Sequence, residues 1–82
     1  MFETRFAAPD IDQRIANLSG RIDFAQRRGF IGFREARHLR DQLSQVRFME
    51  QRDRFRNGGR LSPMQAMQLN RQLDRVSGRL RG

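Results

Sequence analysis

The fold is decided by residues 62–80, SPMQAMQLNRQLDRVSGRL, which read as one amphipathic helix. Ser62 and Pro63 stand at the cap and first-turn positions, where a hydroxyl acceptor and a preset φ favour a helix start. Apolar side chains then recur at helical spacing, as Ala66, Leu69, Leu73, Val76 and Leu80. No stretch of the chain alternates with period two, so we expect helices and no sheet.

A shift of 30 residues aligns the chain with itself and reveals an internal repeat. The matched pairs are Gly29 with Gly59, Ile31 with Leu61, Ala36 with Ala66, Leu39 with Leu69, Gln42 with Gln72, Leu43 with Leu73, Val46 with Val76 and Asp23 with Asp53. Each unit reads as a helix, a glycine turn and the start of another helix, so the two units share the middle helix. We therefore predict an all-α fold, a three-helix up-down-up bundle built from two tandem 30-residue helix-turn-helix repeats.

The other two predicted helices carry apolar stripes of their own. The first helix starts after Asp10, stops near Gly29 and has the stripe Ile11, Ile15, Leu18, Ile22 and Ala25. The second has Ala36, Leu39, Leu43 and Val46, and this pattern breaks at Glu50 and Asp53. We expect Phe48 and Phe55 to take over on a neighbouring face. Residues 1–9 are expected to form a flexible N-terminal segment ahead of a single domain over 10–81.

Two glycines fall at matching places in the first and third helices, Gly20 and Gly78. Because glycine costs roughly 1 kcal/mol relative to alanine inside a helix, both positions need a reason. Close approach of a neighbouring helix is one interpretation, and fraying, above all near the C-terminus, is the other.

The composition limits the chain to a small domain with a thin core. Leu, Ile, Val and Phe make up 20 of 82 residues, about 24%, above the roughly 20% below which charged chains tend to stay disordered. With 82 residues the chain is too short for a two-domain enzyme. A domain of this size buries only about 60 to 65% of its unfolded surface. No apolar run is long enough to cross a membrane.

Catalytic and metal-binding chemistry has few residues to use. The chain has no Cys and a single His38, which we expect to lie on the surface of the second helix. The glycine turns resemble half of an EF-hand, but Phe24 and Arg54 would occupy the first ligand positions, where calcium needs oxygen atoms. We therefore expect no enzyme activity, no metal and no cofactor.

All 17 cations are Arg, and the formal net charge is +8. The planar guanidinium binds carboxylates and phosphates bidentately, although a GC-rich coding bias would produce the same composition. Arginines recur every seven residues along the first two helices, as Arg14, Arg21 and Arg28 and then as Arg40, Arg47 and Arg54. Four i,i+4 pairs are expected to offset part of the charge: Asp10–Arg14, Asp23–Arg27, Arg37–Asp41 and Glu50–Arg54.

Apolar residues off the helical stripes complete a candidate binding surface: Phe2, Phe6, Phe30, Phe33, Met64 and Met67. Either they cap the ends of a thin bundle, or they form an adaptable surface beside the arginines. Our leading interpretation is a non-enzymatic protein-binding module for acidic or partly unfolded chains, with a homodimer as a further arrangement. Its partner-binding residues would be Arg14, Arg21, Arg28, Arg40, Arg47, Arg54, Phe30, Phe33, Met64 and Met67.

Nucleic acid is the alternative partner, because counterion release would give the Arg surplus sequence-independent affinity. The chain lacks a DNA-reading helix-turn-helix cue and an RNA-binding aromatic signature. Tyr and Trp are absent, and the seven Phe are expected mostly where a small core would use them.

The stretches 11–14, 28–31, 34–37 and 59–62 carry a resemblance that extends over residues 11–81. They resemble small Arg-rich helical proteins that Gram-negative bacteria export and that have no assigned activity. The chain departs from that pattern at Gly32, where the family has Thr or Ser, and in lacking Tyr and Trp.

Residues 61–65, LSPMQ, are similar to the LTxxQ signature of periplasmic stress chaperones, which are all-helical and present a basic concave surface to unfolded clients. This resemblance implies a chaperone-like or envelope-stress role. Members of both families carry a signal peptide, and the chain has no segment that fits one. We therefore expect either a periplasmic protein from which the signal peptide was trimmed or a cytoplasmic relative.

Overall fold

The computed structural model describes residues 11–81, and three helices follow one another in this range. Helix α1 spans Ile11–Arg27, α2 spans Phe33–Arg56 and α3 spans Pro63–Arg81, with no strand between positions 11 and 81. The predicted all-α, three-helix up-down-up bundle is confirmed. The predicted helix start at Asp10 and the N-terminal segment 1–9, with Phe2 and Phe6, lie outside the described residues.

Each helix packs against both of the others. Arg79 near the end of α3 bonds Glu35 near the start of α2, and Asn57 after α2 bonds Gln65 in the first turn of α3. These two contacts lie at opposite ends of the bundle, so α2 and α3 run antiparallel. The short connections of residues 28–32 and 57–62 produce this hairpin arrangement twice.

The core is aliphatic throughout the described residues. Its buried apolar members come from the three predicted stripes: Ile11, Ile15, Leu18, Ile22, Ala25, Ala36, Leu39, Leu43, Val46, Leu69, Leu73 and Val76. Ile31 and Leu61, which occupy matching places in the repeat, pack against this core from the two turns. No aromatic side chain among residues 11–80 is buried in it.

The prediction that the buried face of α2 shifts to Phe48 and Phe55 is wrong. Phe48 is 66% exposed and Phe55 is 88% exposed. Glu50 and Asp53 are buried, with exposed fractions of only 1% and 9%. The reason is geometric: from Val46 the steps to positions 50 and 53 are four and three residues, so the same face continues toward the core. The straight helix therefore buries two carboxylates at its C-terminal end. The related expectation that most Phe belong to the core fails with it.

Glycine residues follow the C-terminal ends of α1 and α2. Gly29 adopts φ +79°, the amide of Phe30 donates to the carbonyl of Ala25 at 2.8 Å and the amide of Gly29 donates to the carbonyl of Gln26 at 3.1 Å. This is a Schellman arrangement, which needs a left-handed residue after the helix. In the second turn Gly58 has φ +67°, and the next amide, that of Gly59, donates back to the carbonyl of Arg54. The second turn, residues 57–62, is one residue longer than the first, residues 28–32.

Helix α3 begins with the predicted cap. The hydroxyl of Ser62 accepts a hydrogen bond from the amide of Gln65 at 3.1 Å, and the amide of Ser62 donates to Oε1 of Gln65 at 3.0 Å. This reciprocal pair is a capping box, and it satisfies two amide groups that a helix start leaves without partners.

The interpretation of Gly20 and Gly78 as points of close helix approach is wrong. A Cβ atom built at either position would meet nothing within 4 Å, and both residues are exposed. The helices contact one another through their apolar stripes, which do not include Gly20 or Gly78. Neither glycine is therefore needed for packing.

Candidate binding surface

The phenylalanines within the described part of the chain lie on the outside of the bundle. Each of them is at least half exposed: Phe24, Phe30, Phe33, Phe48 and Phe55. Met64 and Met67 at the start of α3 are exposed as well, at 66% and 52%. The structure therefore leaves Phe30, Phe33, Met64 and Met67 open to solvent, as a binding surface requires.

Three residues near the first turn form a compact group, which we call the turn cluster: Phe24, Arg28 and Phe30. The rings of Phe24 and Phe30 lie 6.3 Å apart in an edge-to-face arrangement. The guanidinium of Arg28 lies 5.5 Å and 6.0 Å from the two ring centroids. Such cation–π contacts are worth about 0.5 to 1 kcal/mol at exposed sites, so they favour this arrangement of the cluster without burying it.

Helix α2 presents a second exposed apolar surface, the outer face of α2, formed by Phe48 and Phe55. These side chains are seven residues apart and project from the same side of the helix, opposite the core stripe. A shallow groove of about 390 Å³ adjoins Phe48 and is lined by Ser44, Gln45, Phe48, Met49 and Arg52. This surface offers an aromatic and thioether lining with a cation at its edge.

Three of the six arginines predicted to bind partners are engaged inside the bundle. Arg14 donates to Oδ1 of Asn70 at 2.8 Å and to Asp74 at 3.1 Å, which ties α1 to α3. Arg40 donates to Asp23 and Gln26, which ties α1 to α2. Their guanidinium groups therefore connect helices.

Arg54 is the third engaged arginine, and it bonds both Glu50 and the carbonyl of Gly59. The i,i+4 pair Glu50–Arg54 is thus confirmed. Asp23 pairs with Arg40 across the helix interface and not with Arg27. Asp10, the predicted partner of Arg14, lies outside the described residues.

Arg21 and Arg47 are the predicted arginines that remain available. Both are exposed, and within residues 11–80 neither makes an ion pair. Among the described residues, Arg28 contacts the two rings of the turn cluster and makes no ion pair. The exposed side chains of Arg21, Arg28 and Arg47 therefore carry part of the surplus positive charge of the chain.

Glu50 lies at the buried end of α2, near the carboxyl of Asp12 and the guanidinium of Arg54. Burial raises the pKa of Glu50 above its ordinary value of 4.5, and the neighbouring carboxyl of Asp12 raises it further, whereas Arg54 lowers it in part. A protonated Glu50 can donate its O–H to Asp12, which an ionised Glu50 cannot do. The spacing of four and three residues continues past Val46, and this spacing is the sequence signal that predicts Glu50 on the buried face.

Within residues 11–81 no group of three or more His, Asp or Glu side chains is arranged to hold a metal ion. No helix in that range combines the length and the apolar character of a membrane span. No family model, curated protein or solved structure matches the chain. The exposed surface of the described residues is therefore what bears on function.

Proposed function

We propose that this chain is a non-enzymatic helical module that binds acidic or partly unfolded protein segments through apolar surface flanked by arginine. The single observation that carries the proposal is the position of the phenylalanines: all those in the described residues are at least half exposed, around a core built from aliphatic side chains. Contiguous exposed apolar groups, such as the paired rings of Phe24 and Phe30, are typical of interaction surfaces.

The energetics of a small domain make this arrangement costly unless the exposed rings are used. Fully burying a Phe side chain stabilises a fold by about 1.5 to 3 kcal/mol, and a domain this small has few other sources of stability. Placing Phe24, Phe48 and Phe55 outside forgoes that gain. A partner that covers these rings would supply it on binding.

Charge and side-chain flexibility favour acidic or unfolded partners. The net charge of +8 attracts acidic chains, and the surface arginines can bind carboxylates bidentately. Met64 and Met67 add flexible thioether side chains that adapt to different apolar sequences. A second copy of the chain would bring the same positive charge, so self-association is less favoured by electrostatics than binding of an acidic protein.

The likeness to periplasmic stress chaperones gives this proposal limited support. Ser62 and Gln65, two residues of the LTxxQ-like stretch, form the capping box of α3, and that structural role by itself accounts for their presence. A chaperone-like role in the envelope therefore stays part of the proposal, and its support comes from the exposed phenylalanines.

The test measures how well the protein suppresses aggregation of an unfolding test protein. We expect the double variant Phe48→Ser and Phe55→Ser to fold normally and to lose most of the protection, because it removes exposed apolar area only. The control variant, Asn17→Ser and Gln68→Ser, changes two exposed polar residues of α1 and α3 that do not line the groove beside Phe48, and it should protect like the wild type. Equal protection by all three proteins would overturn the proposal.

Nucleic-acid binding is the second candidate, and the turn cluster is the observation that favours it. Rings beside an arginine form the kind of platform on which bases of single strands stack. The two candidates differ in salt dependence: phosphate contacts weaken by orders of magnitude between about 50 and 200 mM salt, whereas protection by apolar surface persists. Tight, salt-steep binding of nucleic acid that survives loss of Phe48 and Phe55 would favour this second candidate.

A further inference from the structure

A second groove lies between α2 and α3, away from the exposed phenylalanines. It has a volume of about 370 Å³ and is lined by His38, Gln42, Arg75, Gly78 and Arg79. This volume falls within the range of about 300 to 1,000 Å³ typical of small-molecule sites. From this groove we infer that the protein has a binding site for a small phosphate-bearing anion, independent of the proposed protein-binding surface.

The lining supplies hydrogen-bond donors from two helices. His38 and Gln42 are four residues apart on α2, and Arg75 and Arg79 are four residues apart on α3, so each pair lies on one side of its helix. No carboxylate lines the groove. Two guanidinium groups, an imidazole and an amide are donors that match the oxygens of a phosphate.

One arginine of the groove is held in place by a carboxylate outside it. Nε of Arg79 donates to Oε2 of Glu35 at 3.0 Å, and Nη2 of Arg79 lies 3.4 Å from Oε1 of Glu35. These contacts leave Nη1 of Arg79 unengaged. Arg75 is exposed and makes no ion pair within the described part of the chain, so its charge is available to a ligand. Among the described residues, the site thus has one cation paired with a carboxylate, Arg79, and one cation without an ion pair, Arg75.

Gly78 accounts for the open space between these cations. A Cβ at this position would meet nothing within 4 Å, so glycine is not required by a neighbouring helix. The missing side chain instead leaves open space in the lining of the groove, beside Arg75 and Arg79. A larger residue would fill the volume that the ligand needs without changing the charge of the protein.

The experiment uses inorganic pyrophosphate as the probe, with calorimetric titration of the wild type in sodium chloride of matched ionic strength. We expect saturable binding, and binding roughly tenfold weaker in Arg75→Gln, a loss of about 1.4 kcal/mol, because this variant removes a charge-assisted hydrogen bond. The matched control is Arg71→Gln, which removes an exposed arginine of α3 that does not line the groove. This control should bind like the wild type.

A second pair of variants separates shape from charge. Gly78→Leu fills the groove and keeps every charge, so we expect it to abolish saturable binding. Gly20→Leu places the same side chain at the matching exposed glycine of α1 and should bind pyrophosphate normally. Thermal melting without ligand checks that each variant folds, which leucine in a helix favours.

Three outcomes would overturn the inference: no saturable binding by the wild type, equal weakening in Arg75→Gln and Arg71→Gln, or undisturbed binding in Gly78→Leu. Equal weakening in the two arginine variants would show attraction by net charge alone, and undisturbed binding in Gly78→Leu would show that the ligand does not occupy the groove. If Gly78→Leu fails to fold, the comparison of the two arginine variants still decides. None of these results depends on the aggregation assay, so the two proposals fail or succeed separately.

Discussion

Nε of Arg54 donates a hydrogen bond of 2.9 Å to Oε2 of Glu50, one turn earlier on α2, at a place where Glu50 is only 1% exposed. The other carboxylate oxygen, Oε1, has no hydrogen-bond partner among the described residues. A buried charge that is only partly compensated destabilises the folded state. Protonation of Glu50 removes that charge, which is why burial raises its pKa.

The raised pKa of Glu50 makes the stability of the bundle depend on pH. Between the ordinary value of 4.5 and the raised value the folded state binds more protons than the unfolded chain, so the free energy of unfolding falls as pH rises through this interval. Glu50→Gln mimics the protonated form. We expect this variant to be more stable than the wild type at about pH 8 and equally stable near pH 4. Urea unfolding across this range measures both curves, and a stability difference that stays constant with pH would contradict the account.

Leu43 and Leu73 are equivalent in the repeat, and both are core residues, at 4% and 0% exposure. Leu→Ala at either position should lower the free energy of unfolding by about 2 to 5 kcal/mol, because it removes buried methyl groups and leaves a cavity. Phe55→Ala is the control, since an exposed side chain of similar apolar character should change stability by less than about 0.5 kcal/mol. Thermal melting distinguishes these variants, and a loss in Phe55→Ala as large as in the leucine variants would show that the helix faces are assigned incorrectly.

Gly29 and Gly20 should respond to alanine in opposite directions. Gly29 has φ +79°, where a Cβ costs roughly 1 to 2 kcal/mol, so Gly29→Ala should destabilise the protein by that amount. Gly20 lies within α1 with open space around it, so Gly20→Ala should stabilise by up to about 1 kcal/mol through helix propensity. Denaturant midpoints of both variants are the measurement. Shifts of the same sign would mean that one of these backbone descriptions is wrong.

The helices and most of the core could be predicted because they depend on local periodicity. The apolar residues of α1 and α3 keep a four-three spacing without interruption, and the capping box at Ser62 and Gln65 follows from three-residue spacing alone. The 30-residue repeat then predicted the two hairpins. These features need no knowledge of which helices touch.

The polar contacts could not be predicted in the same way, because they join residues distant in sequence. Arg14 and Asp74 are 60 positions apart, and the pairing of Asp23 with Arg40 depends on the rotation of α1 against α2. The burial of Glu50 could not be predicted from residue type, because an ionisable side chain is ordinarily exposed and only its position on the helix indicates the core. In the sequence, a carboxylate at a core position looks like the end of the apolar stripe. In the structure the helix continues past it with the same face toward the core.

The aliphatic core has a practical consequence for spectroscopy. With the rings of the described residues at the surface and no Trp or Tyr in the chain, the methyl groups of the core experience little ring-current shift. Their proton resonances in the folded state will therefore crowd near the positions found for unfolded chains, and ultraviolet fluorescence will report poorly on unfolding. The same arrangement makes the outside of α2 a convenient place for a fluorophore: Phe48→Trp would respond to an arriving partner while the interior stays spectroscopically silent.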